Sequence, residues 1–179
     1  MNKYVIKNMK LDESDIYRQH QQVTACFSKS EHVRFRTDGN TVTVYSAQHP
    51  TGTVTCNMSV LPSYPIGTQG AFKLRMNIEK RKFVKGGAGR REGIRDLSGI
   101  LQKFNEVAAR SGFSVKELKE VSEPYIIKGV QKENTIALNV VDFNGLLEVT
   151  DQGTFKNALD NGIGSGKAFG LGLLHMSVV

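Results

Sequence analysis

Four histidines, His20, His32, His49 and His175, are the side chains of this 179-residue sequence best suited to move a proton near neutral pH, because an unperturbed imidazole titrates at about 6.5. His20 is set apart by Tyr17, a second polar aromatic three residues earlier. On a helix that spacing puts both rings on neighbouring positions of one surface. They fall at the border of the apolar face made by Ile16, Val23 and Phe27. By spacing alone such a histidine serves packing more often than catalysis, and both readings stay open. His32 lies in a polar loop, His49 precedes Pro50, and His175 sits in an apolar terminal strand where a structural role is expected. No cluster of Asp, Glu or His has ligand-like spacing, so no metal and no cofactor is expected. Cys26 and Cys56 match neither a CxxC pair nor a disulfide framework and read as small buried hydrophobes.

A second candidate lies near the end of the chain, where residues 161–172 read NGIGSGKAFGLG around Lys167. Glycine at this density costs about 0.5–1 kcal/mol per residue in an ordered segment and needs a reason. A phosphate-binding P-loop is excluded, because Asn161 and Ala168 stand where Gly and Ser or Thr are required. A dinucleotide fingerprint is excluded because only seven residues follow Gly172. Two accounts remain: tight packing between a helix and a strand, or bare backbone whose N–H groups at Gly164 and Gly166, with Lys167, face phosphates.

The net charge of +7 is concentrated. Nine Lys and Arg against two Glu lie between Lys73 and Arg95, and the rest of the chain is neutral. A localised excess is the signature of a phosphate-binding surface, although a solvated basic loop has the same composition. Gly86, Gly87, Gly89 and Gly93 prevent a long amphipathic helix there and disfavour a membrane surface. No apolar run is long enough to span a bilayer and the start lacks a signal-peptide plan, so a cytosolic protein is expected.

The elements that must position these residues follow from patterning. A strand is expected over Tyr4 to Leu11, then the cap-like run Asp12, Glu13, Ser14 and a helix to about Phe27. Strands near Val33 to Arg36 and Thr41 to Ser46 flank the turn Asp38-Gly39-Asn40. Loosely alternating residues from Thr51 to Val60 precede a strand over Ala71 to Ile78, whose Phe72, Leu74 and Met76 alternate with Lys73, Arg75 and Asn77. After a basic, glycine-rich hairpin or linker, Ile94, Leu97, Leu101, Phe104 and Ala108 carry a helical period closed by Ser111-Gly112. Strands over Glu123 to Val130 and Thr135 to Val149, a helix near Thr154 to Asn161 and a strand over Leu171 to Val178 complete the chain. The fold class expected is α+β, with two tandem ferredoxin-like (RRM-like) units of antiparallel sheet and packed helices. The expected division is 1–80 for the first unit, 81–93 for the linker and 94–179 for the second, which looks incomplete at its start.

Taken together, DIYRQHQ at 15–21, YSAQHP at 45–50, FKLRMNIEK at 72–80, FNGLLEVTD at 143–151 and the glycine-rich GIGSGKAFGLGLL resemble, in order, the CasE branch of the RAMP superfamily of CRISPR RNA-processing proteins. The similarity covers both halves; the departures are a compressed junction around Lys80 to Arg95 and Leu171 where many relatives carry cysteine. The resemblance implies a metal-independent endoribonuclease that cuts precursor CRISPR RNA at repeat hairpins, leaving a 2',3'-cyclic phosphate and a 5'-hydroxyl. It marks Tyr17 and His20 as the active-site pair. Lys167, Gly164 and Gly166 are then candidates for holding a phosphate, and Arg75, Lys80, Arg81, Lys82, Arg90 and Arg91 for gripping the hairpin. It further implies retention of the 3' stem-loop within the Cascade complex beside the backbone subunit CasC. The competing expectations are a non-catalytic RNA-binding module and a structural subunit held in a ribonucleoprotein by protein contacts.

Overall fold

The computed structural model describes residues 1–28, 33–51, 56–83, 87 and 89–178. His32, Gly86 and Lys85, the last counted among the nine cations between Lys73 and Arg95, lie outside them. The chain forms β1 (Asn2–Lys7), α1 (Ile16–Thr24), β2 (Arg34–Asp38), β3 (Thr41–Ser46) and β4 (Cys56–Val60). There follow β5 (Gln69–Asn77), β6 (Glu79–Lys82), β7 (Arg90–Gly93), α2 (Leu97–Arg110), β8 (Phe113–Val121), β9 (Tyr125–Gln131), β10 (Asn134–Val149), α3 (Gln152–Asn161) and β11 (His175–Val178).

Two antiparallel sheets result, with strand orders β2-β3-β1-β4 and β11-β5-β10-β8. Each is the ferredoxin-like order, in which the unit's first and third strands lie at the centre. In the second sheet α2 links β5 to β8 and α3 links β10 to β11, completing the βαββαβ plan. Among the described residues no helix joins β3 to β4 in the first. Two hairpins are added to the second unit: β6–β7 pairs on itself, and β9 pairs with the first half of the long β10.

The pairing differs from the expected division in one consequential respect. β5, assigned to residues 1–80 by its position in the sequence, pairs with β10 and β11 and so begins the second sheet. Its alternation of Phe72, Leu74 and Met76 is core, as expected, but the core is that of the second unit. The apparent incompleteness of that unit had this strand and β8 as its cause. β8 escapes patterning because its pairing with β10 shifts register twice, between Asn144 and Gly145 and between Leu146 and Leu147. Each shift inserts one residue, so Val115, Leu118 and Val121 pack on the core at a spacing of three rather than two. On α2 the buried positions are Ile100, Phe104 and Ala108, whereas Leu97 is exposed and Leu101 half-buried. Phe104 stacks on Phe143 at 4.1 Å in the centre of that core. Cys26 and Cys56 are free thiols and half-buried rather than fully buried, packed at the margin of the first core.

Among the polar contacts that join the units, two centre on single aspartates. Asp142 on β10 receives Arg36 from β2 at 3.2 Å, Arg75 from β5 at 2.9 Å and the Tyr125 hydroxyl from β9 at 2.7 Å. Asp15, and not the Asp12 to Ser14 run, caps α1: its Oδ1 accepts from the N–H groups of Tyr17 at 2.8 Å and Arg18 at 3.3 Å. The same oxygen accepts the N–H of Val130 on β9 at 3.3 Å. The backbone of Gly129 lies so close that a Cβ there would stand 2.7 Å from Ile16 Cγ1 and 2.9 Å from the Tyr17 nitrogen. The first turn of α1, which carries Tyr17, is therefore fixed by a hairpin of the other unit.

Asp15→Ala removes the cap and strands the Val130 donor, and should lower stability by about 1–2 kcal/mol in urea unfolding. Asp15→Asn keeps the accepting oxygen and should lose less than half as much; equal losses would show that the cap does not hold the hairpin.

Candidate functional site

His20 leaves the middle of α1 and is enclosed by three rings. Phe35 of β2 stacks against it with centroids 6.4 Å apart and planes 22° apart, Phe169 meets it edge-on at 6.2 Å, and Tyr17 lies 6.5 Å away. Burial pushes the imidazole pKa below its ordinary value, and the backbone of Ala168 partly offsets this by favouring the protonated ring. Its Nδ1 is buried and unpaired among the described residues. The expected pair of Tyr17 and His20 is thus a real neighbourhood, and the walls around it come from β2 and from the glycine-rich segment.

That segment reaches α1 because its glycines take backbone conformations that other residues rarely adopt. Gly162, Gly164, Gly166, Gly170 and Gly172 all have positive φ. Between them Lys167–Phe169 forms a single 3₁₀ turn, with the Phe169 N–H bonded to the Gly166 carbonyl at 2.8 Å. A Cβ at Gly170 would stand 3.0 Å from the Phe35 ring, so the loop seats against the same phenylalanine that stacks on His20. Packing accounts for part of the glycine content. Gly166 packs against Leu171 and Leu138, while Gly164 is exposed.

Lys167 stands beside Arg34, which sequence reasoning did not single out. Burial lowers the pKa of both, and the charge of Arg34 lowers that of Lys167 further. Arg34 Nε donates to the carbonyl of Asn161 at the end of α3 at 3.0 Å, and no carboxylate pairs with either cation among the described residues. Two adjacent cations without a counter-charge form a place for an anion. No spacing in the sequence announces this, because Arg34 and Lys167 are brought together only by the docking of α3 and its loop on β2.

The basic hairpin adjoins the same loop. Glu79 on β6 pairs with Arg91 at 2.6 Å and accepts the Ser165 hydroxyl at 3.1 Å, and Ser165 in turn accepts from Asn77 at 3.1 Å. A groove of about 480 Å³ runs from this contact between the hairpin, α2 and α3. Lys80, Arg81 and Arg91 line it, joined by Lys103 and Arg110 of α2, with Glu79 as its acid. Lys82 and Arg90 face each other at the outer end of the hairpin and are exposed. Arg75 is placed elsewhere: Asp142 and the Thr37 carbonyl, at 3.1 Å, hold its guanidinium at the junction of the units. His175 and His49 also stand apart. His175 Nδ1 contacts Tyr45 at 3.2 Å and Lys3 at 3.5 Å, with its pKa pushed down to about 4 by burial, and His49 contacts Tyr4 at 3.3 Å. Among the described residues no group of His, Cys, Asp or Glu could hold a metal ion, and no helix is long and apolar enough to cross a membrane.

Comparison with solved structures gives the same fold over the full length. Cse3 of Thermus thermophilus, bound to an RNA representing a pre-cleavage complex, superposes with a TM-score of 0.79 at 20% identity, covering 98% of each chain. Cas6e of Escherichia coli K-12 superposes with a TM-score of 0.76 at 21% identity, covering all of both chains. A chain of a CRISPR RNA-guided surveillance complex gives 0.78 at 16% identity, again over the whole of each chain. No curated protein matches. The family described as CRISPR associated protein matches residues 3–177, nearly the whole chain. The protein with the Tyr17–His20 helix and the glycine-rich turn therefore belongs to the family of CRISPR associated proteins.

Proposed function

We propose that this chain is an endoribonuclease that cuts CRISPR precursor RNA at a repeat hairpin. The observation that carries the reading is the enclosure of His20, beside Tyr17, by the Lys167–Phe169 turn, which a polar bridge through Ser165 and Glu79 joins to the cationic groove. Its structural relatives include an endoribonuclease, Cse3, bound to RNA.

RNA supplies its own nucleophile. A base removes the proton of the 2'-hydroxyl, the 2'-oxygen attacks the adjacent phosphorus, the bond to the 5'-oxygen breaks, and that oxygen takes up a proton. The products are a 2',3'-cyclic phosphate and a 5'-hydroxyl. His20 exchanges protons at this centre, and Tyr17 orients the 2'-hydroxyl or donates to the phosphoryl oxygens. Lys167 and Arg34, cations without a carboxylate partner, stabilise the charge that grows on those oxygens. No step requires a metal. Lys80, Arg81 and Arg91, with Lys103 and Arg110, grip the backbone of the duplex, since side chains read the deep major groove of A-form RNA poorly. Lys82 and Arg90 extend that surface from the end of the hairpin. Retention of the product's 3' stem-loop, and assembly beside CasC in Cascade, complete the reading.

Single-turnover cleavage of the cognate repeat RNA in excess chelator tests the chemistry. His20→Ala should slow it by at least about a hundredfold, as expected for loss of a general acid–base group, while the affinity for the hairpin stays within about threefold. Tight binding with no cut by the natural chain would favour a non-catalytic RNA-binding module.

The pH dependence follows from the burial of His20. Its folded pKa lies below the ordinary value, so a rate that depends on the neutral imidazole should rise with pH and reach its plateau with an inflection below about 6.5. An inflection above that value would contradict the enclosed geometry.

Arg81→Ala should reduce the slope of log affinity against log salt by about 0.7–0.9, with little change in the single-turnover rate at saturating protein. An unchanged slope would remove Arg81 from the phosphate-binding surface.

A further inference from the structure

Two grooves lie on opposite sides of the ridge made by Asn77, Glu79 and Ser165, and their chemistry differs. The first, between the hairpin and the helices, carries five cations and one acid and suits a run of phosphates. The second is larger, about 830 Å³, and is electrically balanced, with Lys80, Arg91 and Arg95 set against Glu79, Glu92 and Asp96. Its acids are engaged within the chain. Glu79 holds Arg91, Glu92 lies 4.0 Å from Lys82, and Asp96 caps α2 by accepting the N–H of Gly99 at 2.7 Å. A phosphate backbone finds no excess of positive charge here.

What the second groove offers is an apolar wall with an open hydrogen-bonding edge. Ile94, Ile126, Ile136, Leu138 and Phe169 line it, and Ile126 is 48% exposed. The first half of β10 pairs with β9 along one edge only. On the other edge pairing with β5 begins at Val140, and the last bonds are at Asn139, whose carbonyl accepts the Ile78 N–H at 2.7 Å and whose N–H donates to Asn77 Oδ1 at 3.0 Å. Thr135 and Ala137, four and two residues earlier, turn their N–H and C=O groups to the same side, where no strand lies among the described residues. Both residues are exposed. The groove ends at Phe169, the ring that meets His20 edge-on at 6.2 Å.

A flat aromatic, aliphatic walls, unpaired backbone donors and acceptors, and few net charges are the requirements of a single unstacked nucleobase. We infer that this groove is the subsite for an unpaired nucleotide next to the scissile phosphate, its base stacked on Phe169 and its edge read by the backbone of Thr135 and Ala137. The inference rests on the RNA-cleaving reading above and adds where choice of sequence is made. Phosphates are gripped on one side of the Glu79–Ser165 ridge and a base is read on the other.

The test is a binding cycle that does not depend on cleavage. The cognate repeat RNA, made uncleavable by a 2'-deoxy substitution at the attacking position, is prepared intact and with an abasic nucleotide at each unpaired position flanking the cut. For one such position the abasic RNA should bind the natural chain about five- to a hundredfold more weakly, the range expected for one base–aromatic stack. Phe169→Leu, which keeps an apolar side chain, should weaken the intact RNA by a similar factor and the abasic RNA by no more than about twofold. Ile126→Thr, at an exposed position, should show the same lack of further loss should Phe169→Leu unfold the loop. Losses that multiply, or tolerance of an abasic nucleotide at every position, would overturn the subsite. Failure of the natural chain to bind the hairpin at all would overturn the RNA reading and the subsite with it. Binding without cleavage of the all-ribose RNA would sink only the catalytic claim.

Discussion

The arrangement depends on the bare backbone of Gly172. Its N–H donates to the carbonyl of Arg75 on β5 at 2.7 Å, and its carbonyl accepts the N–H of Ile163 at 2.8 Å. A Cβ at this position would stand 2.1 Å from the Ile163 oxygen, a distance no side chain tolerates. The segment between α3 and β11 is therefore closed into a flat loop lying on the sheet. The Lys167–Phe169 turn projects from this closed base against α1 and β2. Phe169, Phe35 and the backbone at Ala168 then set the environment of His20. A more ordinary connection would leave the histidine on an exposed helix face, without the burial that lowers its pKa.

Charge is arranged by a small number of acids. At the junction of the units Asp142 gathers Arg36, Arg75 and the Tyr125 hydroxyl, and the two arginines hold the sheets together, Arg36 through Asp142 and Arg75 through the Thr37 carbonyl. At the base of the hairpin Glu79 pairs with Arg91 and with Ser165 of the glycine-rich loop, which leaves the cations farther out facing solvent. The concentration of charge between Lys73 and Arg95 seen in the sequence thus serves two purposes, and only contact partners separate them. Arg75 alternates with core residues on a strand, and its own side of the sheet faces the other unit. Lys80, Arg81 and Arg91 sit on a two-stranded ribbon with solvent beside it.

Elements whose contacts are local were legible in the sequence. The helix carrying Tyr17 and His20, the β2–β3 turn and the alternation of β5 each follow from residues close together in the chain. The membership of β5 was not legible, since its partners on β10 lie more than sixty residues away and an alternating strand fits either sheet equally well. β8 was hidden by its bulges, which convert a period of two into an apparent period of three. Tyr17 and His20 share a helix turn, and a family resemblance could point to them. Phe35, Phe169 and Arg34 join the site through tertiary contacts alone, and neither their types nor their spacing distinguish them from core and surface residues elsewhere.

The division of the site between units has a chemical consequence. α1 supplies the groups that can exchange protons, but the cap of α1 is completed by β9, its histidine is enclosed by Phe169, and Lys167, the cation beside Arg34, comes from the loop after α3. None of these lies in the unit that carries His20. A shift of one unit against the other would expose the imidazole, relax the cap and separate Arg34 from Lys167 together. Burial is the leading cause of the lowered pKa values of His20, Arg34 and Lys167. The Arg34–Lys167 pair is held by packing and by a helix-end carbonyl rather than by a carboxylate. Its cations are therefore positioned by the fold itself, and an anion placed beside them would require little reorganisation.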